Sequence, residues 1–342
     1  VLSTPPPPAA DPEPGTRRRI GVVLGAGGHA GIAFHSGVLL SLEHHIGFSA
    51  NDADVLVGTS AGSVIAGLLA HGFTPEDLAA FTAEVPLSAG RIHLEPSLRE
   101  SAAARAVHRW LNLITPVSPL VALRLLRNLP RVRPAAAVAA LLNGPIDPGR
   151  SMAAFDELGI TWPERDTFIV AVRRDGRRAV FGRPDSPTAT LSQAIAASCA
   201  IPGFYAPVRI GRHSYIDGGA HSTTNADLLA DRELDTVLVI APMGAASNGA
   251  SMRRADGVMR RAVNRRLAGE LARIRRAGTD VVVISPTEAE LRAMGLNAMN
   301  RARAKPVLRE AFLTTGERIA RGEIDLRALS PRRTASGLRR AG

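Results

Sequence analysis

Cysteine, lysine and aromatic side chains are all scarce in this chain. Of its 342 residues one is cysteine, Cys199, one is lysine, Lys305, and only 4% are aromatic. A single thiol excludes an internal disulfide and any metal site built from several cysteines, and nothing here calls for an oxidising compartment. Few aromatics mean few platforms on which nucleobases could stack, and no recognised binding motif accompanies the net charge of +11, so nucleic acid is not an expected partner. Long apolar runs are missing too. The nearest, Pro134 to Leu142, falls well short of the roughly 18 residues that a membrane-spanning helix needs. Residues 1–18 are rich in proline and contain no apolar h-region, so they read as an extended leader and not as a secretory signal. The expected location is cytoplasmic, with peripheral attachment to a membrane left open.

What the chain does have is 45% hydrophobic residues, enough for a sizeable core in one large domain with tails. The stretch around which the rest is organised is Gly58-Thr59-Ser60-Ala61-Gly62. This G-x-S-x-G lies between an apolar run, Val55 to Val57, and a helical one, Ser63 to Ala70. Strand, sharp turn and helix in that order push a serine hydroxyl out of the backbone envelope, while glycines on either side remove the Cβ atoms that would keep strand and helix apart. The helix that starts there aims unpaired N–H groups, beginning with Ala61, at the place where an attacked carbonyl would become negative. Ser60 is therefore the candidate nucleophile; a plain structural turn is the alternative.

A second glycine-rich turn precedes it. Arg19 to Leu24 reads as a strand that runs into Gly25-Ala26-Gly27-Gly28-His29-Ala30-Gly31 and a helix through about Leu42. The N–H groups of such a loop can cradle an anion, either the pyrophosphate of a dinucleotide or the oxyanion formed when Ser60 attacks an ester. A dinucleotide site wants an acidic residue at the end of the second strand, where this chain has Gly58-Thr59-Ser60, so the oxyanion reading is preferred. A protein that keeps the loop as an anion nest for a nucleotide or lipid, without turnover, stays open as the alternative function.

Residues from about 85 to 150 mix apolar and arginine positions and are broken by Pro116, Pro119, Pro130 and Pro134. They read as a helical cap or insertion, with Trp110, Leu111, Leu120, Leu125 and Leu126 as its apolar side chains. Beyond it, Thr167–Val172 and Arg178–Phe181 read as a hairpin turning at Asp175-Gly176, followed by a short helix from Leu191 to Ser198. A further strand ends in Ile216-Asp217-Gly218-Gly219, which places an acid at a strand end on a glycine turn, where a partner for Ser60 would sit. Nine histidines are present, but the last, His221, follows Asp217 too closely for the usual triad, in which acid and base come from different loops.

Glycine-rich loop, G-x-S-x-G and a later Asp-Gly-Gly, in this order, resemble the patatin-like phospholipases. Ala197-Ser198-Cys199-Ala200-Ile201-Pro202-Gly203 and Asn225-Ala226-Asp227 add to the likeness, which runs over roughly residues 19 to 290 and has an actinobacterial cast. The resemblance implies a three-layer α/β sandwich with a mostly parallel central sheet flanked by helices. It implies a serine hydrolase that cleaves lipid carboxylic esters, with Ser60 as nucleophile, Asp217 as base, no catalytic histidine, and no metal or organic cofactor. Gly27, Gly28 and Ala61 would donate to the oxyanion, and Gly25, Gly31, Gly58, Gly62, Gly218 and Gly219 would shape the turns. One departure is Ala30, flanked by His29, where the family often carries a basic residue before its last loop glycine. An aspartate near its ordinary pKa of about 4 would be a weak base held in the right place.

The last third adds two strands, Thr236–Ile240 and Val281–Ile284. Between them lies an amphipathic helix with nine arginines from Arg253 to Arg276 against Asp256 and Glu270. Residues 291–342 read as a basic helical segment and tail. Either basic segment could meet an anionic membrane surface or be a solvated face.

Overall fold

The computed structural model describes residues 18–83, 144, 146–157, 159–246, 256–325 and 328–329. The apolar cap side chains from Trp110 to Leu126, the leader, and the tail beyond 330 lie outside the described residues.

The chain enters the core on β1 (Ile20–Leu24) and α1 (Gly28–Ile46), then β2 (Val55–Thr59), α2 (Ala61–Ala70) and α3 (Pro75–Thr82). After α4 (Pro148–Glu157) come the hairpin of β3 (Asp166–Arg173) and β4 (Arg178–Phe181), α5 (Leu191–Ser198), and the short strands β5 (Val208–Ile210) and β6 (His213–Asp217). The chain continues through β7 (Thr236–Ile240), α6 (Gly257–Arg276), β8 (Asp280–Ile284), α7 (Glu288–Met294) and α8 (Ala304–Ala320).

The strands hydrogen-bond in the order β5-β6-β3-β2-β1-β7-β8, and β4 also joins β3. The five strands from β3 to β8 are parallel; β4, β5 and β6 pair antiparallel at one side. The central strands read as unbroken apolar runs because both faces are covered. On one face, side chains of α1, α2, α5 and α8 close over Leu24, Leu56 and Ile240; on the other, Leu267, Leu271 and Ile274 of α6 meet Val23, Val57 and Val239. This is a three-layer α/β sandwich around a mixed sheet.

The pairings of β3 place the chemistry. Val170 pairs with Thr59 of β2 and with Val180 of β4, while Ala171 pairs with Asp217 of β6 and with Ala179 of β4. Since β4 occupies one edge at both residues, β2 and β6 must share the other. β2 runs parallel to β3 and β6 antiparallel, so they approach head-on and end against adjacent residues. The carboxyl ends of both strands, carrying Ser60 and Asp217, therefore meet at one point of one edge.

Among the described residues no helix is long and apolar enough to cross a membrane. The basic segment after residue 291 contributes α8, which packs along α1 closely enough that a Cβ on Gly37 would lie 2.4 Å from the Leu308 carbonyl oxygen. Gly37→Val should therefore push α8 off α1 and cost about 2–4 kcal/mol, in the range of severe core overpacking. Urea unfolding of the two proteins measures it, and an unchanged midpoint would disprove the contact.

Candidate active site

Ser60 stands between β2 and α2 with φ 53° and ψ −121°, a backbone conformation that a serine adopts only under constraint. The constraint is visible at the two motif glycines. A Cβ on Gly62 would sit 1.9 Å from the Leu24 carbonyl oxygen, and one on Gly58 would sit 2.6 Å from Ser63 Cα, so α2 can leave the sheet only where neither side chain exists. The turn is further held by hydrogen bonds. The Ser60 N–H donates to Ser198 Oγ at 2.8 Å, Ser198 Oγ donates to the Val170 carbonyl at 2.6 Å, and Ser63 closes on the Ser60 carbonyl through its N–H (2.8 Å) and hydroxyl (2.6 Å).

Asp217, at the end of β6, is within hydrogen-bonding reach of Ser60 and accepts the Gly219 N–H on Oδ1 at 2.7 Å. Burial raises its pKa to about 6, the Ser60 and Gly219 hydrogen bonds pulling it partly back. That differs from the expectation of an ordinary carboxylate near 4, and the reason is desolvation: the residue is only 6% exposed. The turn after it is as crowded as the one at Ser60. A Cβ on Gly218 would lie 2.2 Å from the Val170 carbonyl oxygen and 3.1 Å from Thr59 Cγ2, and one on Gly219 would lie 3.5 Å from Ala26 Cβ, in the glycine loop.

That loop passes from β1 to α1. Gly25 N–H donates to Ile240 O at 3.0 Å and Ala26 N–H to Thr223 O at 2.7 Å, which holds its base to β7 and to the 222–226 turn. Gly28 has φ +58° and opens α1 without a side-chain cap. Among the described residues no acceptor is found for the N–H groups of Gly27, Gly28 and Ala61. The two helix starts adjoin, a Cβ on Gly31 falling 3.3 Å from Ala61 Cβ, so the free donors of α1 and α2 belong to one small region beside Ser60. Such donors stabilise negative charge as it develops on an attacked carbonyl.

Other residues singled out in the sequence lie elsewhere. The His221 ring sits 3.0 Å from the Arg266 guanidinium, and Asp227 is gripped by Arg178 at 2.7 and 2.9 Å. The half-buried Cys199, its thiol 3.7 Å from Ser63 Oγ, has its pKa raised to about 12 by desolvation and by the charge of Asp217, which disfavours the thiolate. A cleft of about 310 Å³ at the start of β8, lined by Arg275, Asp280 and Asp325 among others, is at the opposite edge of the sheet and takes no part in this arrangement.

Several supports were not legible in the sequence. Asn225, at φ 53°, donates from Nδ2 to Thr59 Oγ1 (3.1 Å) and to Ser222 O (2.7 Å). The buried Glu270 of α6 accepts from Thr224 Oγ1 (2.6 Å) and Ala226 N–H (2.9 Å), so the 222–226 turn is hung from α6. Arg260 is buried as well. It is paired with Asp256 at 2.6 Å and donates to the carbonyls of Pro242 (3.1 Å) and Gly244 (2.7 Å), beneath the glycine loop. Ala298 O accepts the Ala30 N–H at 2.9 Å. Ser198 and Asn225 stand in motifs noted above; nothing in the pattern signalled the roles of Glu270, Arg260 or Ala298.

The profile of a family described as patatin-like phospholipase matches residues 22–230, more than half of the chain. Among curated proteins none matches. Among solved structures, the type III effector protein ExoU is 18% identical, with 91% of this chain aligned to 54% of that chain at a TM-score of 0.36. VipD from Legionella pneumophila is 13% identical over 88% of this chain and 67% of that one, TM-score 0.37. The ExoU–SpcU complex from the type III secretion system of Pseudomonas aeruginosa gives 16% identity, 89% and 51% coverage, and a TM-score of 0.36. The chain thus spans about half the length of the ExoU chains it matches.

Ser198→Ala deletes the hydroxyl that joins the Ser60 N–H to the Val170 carbonyl. With both groups left buried, it should lower stability by about 1–3 kcal/mol and slow covalent labelling of Ser60 by a fluorophosphonate. Denaturation and labelling time courses on the same preparation test this; unchanged values in both would remove Ser198 from the support of the turn.

Proposed function

The chain belongs to the patatin-like phospholipase family, and from that premise we propose that it is a serine acyl hydrolase cleaving carboxylic esters of lipids through a Ser60–Asp217 dyad. Two strands that end head-on against Val170 and Ala171, with free N–H groups beside them, carry the assignment.

Ser60 Oγ attacks the ester carbonyl carbon while its proton passes to Asp217. The carbonyl oxygen becomes an oxyanion, met by the N–H groups of Gly27, Gly28 and Ala61. Collapse expels the alcohol, which takes the proton from Asp217, and leaves an acyl group on Ser60. Water then attacks the acyl-serine with Asp217 again accepting a proton; the second oxyanion collapses, Ser60 Oγ takes that proton from Asp217 as its bond to the acyl carbon breaks, and the carboxylic acid leaves. With a pKa of about 6 Asp217 is ionised at neutral pH yet a stronger base than an exposed aspartate, which suits it to take a proton without an imidazole between. Most of the acceleration falls to the oxyanion donors, each worth about 3 kcal/mol in comparable sites, and to positioning.

Lipid esters are held in membranes, so the enzyme has to reach a surface. The outward side of α6 carries Arg261, Arg265, Arg266, Arg273, Arg275 and Arg276, all exposed, while its one carboxylate, Glu270, is buried. We take this face as the site of attachment to anionic lipid.

Ser60→Ala should abolish hydrolysis of short aryl esters with the fold intact; retained turnover would dismiss the nucleophile. Asp217→Asn should lower the rate by about three orders of magnitude or more, the scale on which loss of a general base falls. Because it removes a carboxylate whose ionisation burial disfavours, it should melt no lower than wild type at pH 8.

The pH profile follows from the sign of the shift. The base works only when deprotonated, so kcat/KM should be level above the pKa of about 6 and fall tenfold per pH unit below it. A fall centred near 4 would mean that the ionising base is not a buried Asp217.

Vesicle sedimentation checks the surface. Binding should require anionic lipid and weaken as salt shortens the screening length toward about 3 Å at 1 M. Binding indifferent to both would reject the arginine face.

A further inference from the structure

His35 lies two turns into α1 and is 0% exposed. Its Nε2 is 2.8 Å from the Gly25 carbonyl oxygen. A carbonyl only accepts, so Nε2 carries the proton and Nδ1 is bare. Among the described residues Nδ1 has no hydrogen-bond partner. A buried polar atom without a partner works against folding, so packing does not account for a histidine here; an apolar residue of similar volume would leave no such atom.

What the ring does accomplish is to hold a peptide plane. The Gly25 carbonyl and the Ala26 N–H belong to the same amide group. The carbonyl is held by His35 on one side, and the N–H donates to Thr223 O at 2.7 Å on the other. An amide flanked by glycine flips easily unless both ends are tied, and a flip would turn the Ala26 N–H away from Thr223 O and release the anchor from which the chain enters Gly27 and Gly28. Those are the two residues whose free N–H groups face the reacting carbonyl in the function proposed above. We infer that His35 is a positioning residue for the oxyanion hole: its Nε2–H clamps the Gly25–Ala26 amide so that the donors of Gly27 and Gly28 are held in place before substrate arrives.

The clamp rests on the serine-hydrolase reading and differs from any role as a base, since the ring is bonded to main chain and not to Ser60. Burial lowers the pKa of His35 to about 4, so the ring stays neutral and the hydrogen bond is constant over the working range of the enzyme.

Full-length wild type, His35→Leu, His35→Asn and His35→Gln separate the possibilities. A glutamine amide reaches the place of Nε2, whereas an asparagine amide falls one bond short of it. For each protein the measurements are the melting temperature, kcat and KM on a short aryl ester, and the inhibition constant of a trifluoromethyl ketone, which becomes an oxyanion only when Ser60 adds to it.

His35→Leu and His35→Asn should lose about tenfold or more in kcat and lose ketone affinity in parallel, as expected when oxyanion donors are misplaced but not removed, while KM stays within about twofold. His35→Gln should recover most of both. Should His35→Leu fail to fold, the Asn and Gln pair decides alone.

Wild-type kcat and ketone affinity in folded His35→Leu or His35→Asn would overturn the clamp, as would a loss that merely follows the folded fraction or a rise in KM alone. Absence of both hydrolysis and ketone binding in the wild type is a different result: it would overturn the serine-hydrolase reading and the clamp with it.

Discussion

One edge of β3 can pair with only one strand at each residue, and the site follows from how that edge is divided. β2 occupies it as far as Val170, and β6, coming from the other direction, begins at Ala171. Neither strand can continue without displacing the other, so both must turn away at the same place. β2 turns through Ser60 into α2, and β6 through Gly218 and Gly219 into the following turn. The hydroxyl and the carboxylate are thereby delivered to one point by main-chain pairing, with no long side chain reaching across. Serine and aspartate, both short, suffice because the backbone has already brought them together.

Such a junction is crowded, and crowding explains the glycines better than flexibility does. At Gly58, Gly62 and Gly218 an added Cβ would fall within 2.6 Å of main-chain atoms, those of α2 at Gly58, of β1 at Gly62 and of β3 at Gly218. The same crowding strips water from Asp217 and raises its pKa, so the close approach that places this carboxylate beside Ser60 also makes it a stronger proton acceptor. The polar groups trapped there need partners. Ser198 serves Ser60 N–H and Val170 O together, and Asn225 holds Thr59 Oγ1. The site is bound to α5 and the 222–226 turn by the requirement that buried polar groups be paired.

This organisation decides what could be read from the sequence. The apolar runs of β1, β2 and β7, the hairpin of β3 and β4, and the turn at Ser60 were all legible, because periodicity and glycine spacing are local signals. Asp217 could be placed at a strand end, but its meeting with Ser60 depends on β6 sharing an edge with β2, which is a matter of long-range pairing. The long arginine-rich helix illustrates the limit most clearly. The stripe of Leu267, Leu271 and Ile274 does face the core, but Arg260 and Glu270, which a charge count assigns to the solvated side, are buried and brace the turns at 242–244 and 222–226. A polar residue that holds distant main chain has no signature in its own neighbourhood. His35 is another of that kind, an apparent interruption in an apolar helix.

The supports also differ in what they cost the fold. Ser60 holds a strained backbone, Asp217 an ionised carboxylate away from water, and His35 a ring nitrogen without a partner among the described residues; each is unfavourable to folding taken alone. All three converge on the few residues between the carboxyl ends of β1, β2 and β6, whereas the sheet beneath them is covered by two large apolar clusters. Instability gathered at one edge and offset by packing elsewhere suits the hydrolase proposed above, whose donors and base would need little reorganisation as charge develops on the substrate. The glycine loop shows how far this preparation extends. Its base is bonded to Ile240, Thr223 and His35 and its first helical turn to Ala298, while among the described residues no acceptor is found for the N–H groups of Gly27 and Gly28.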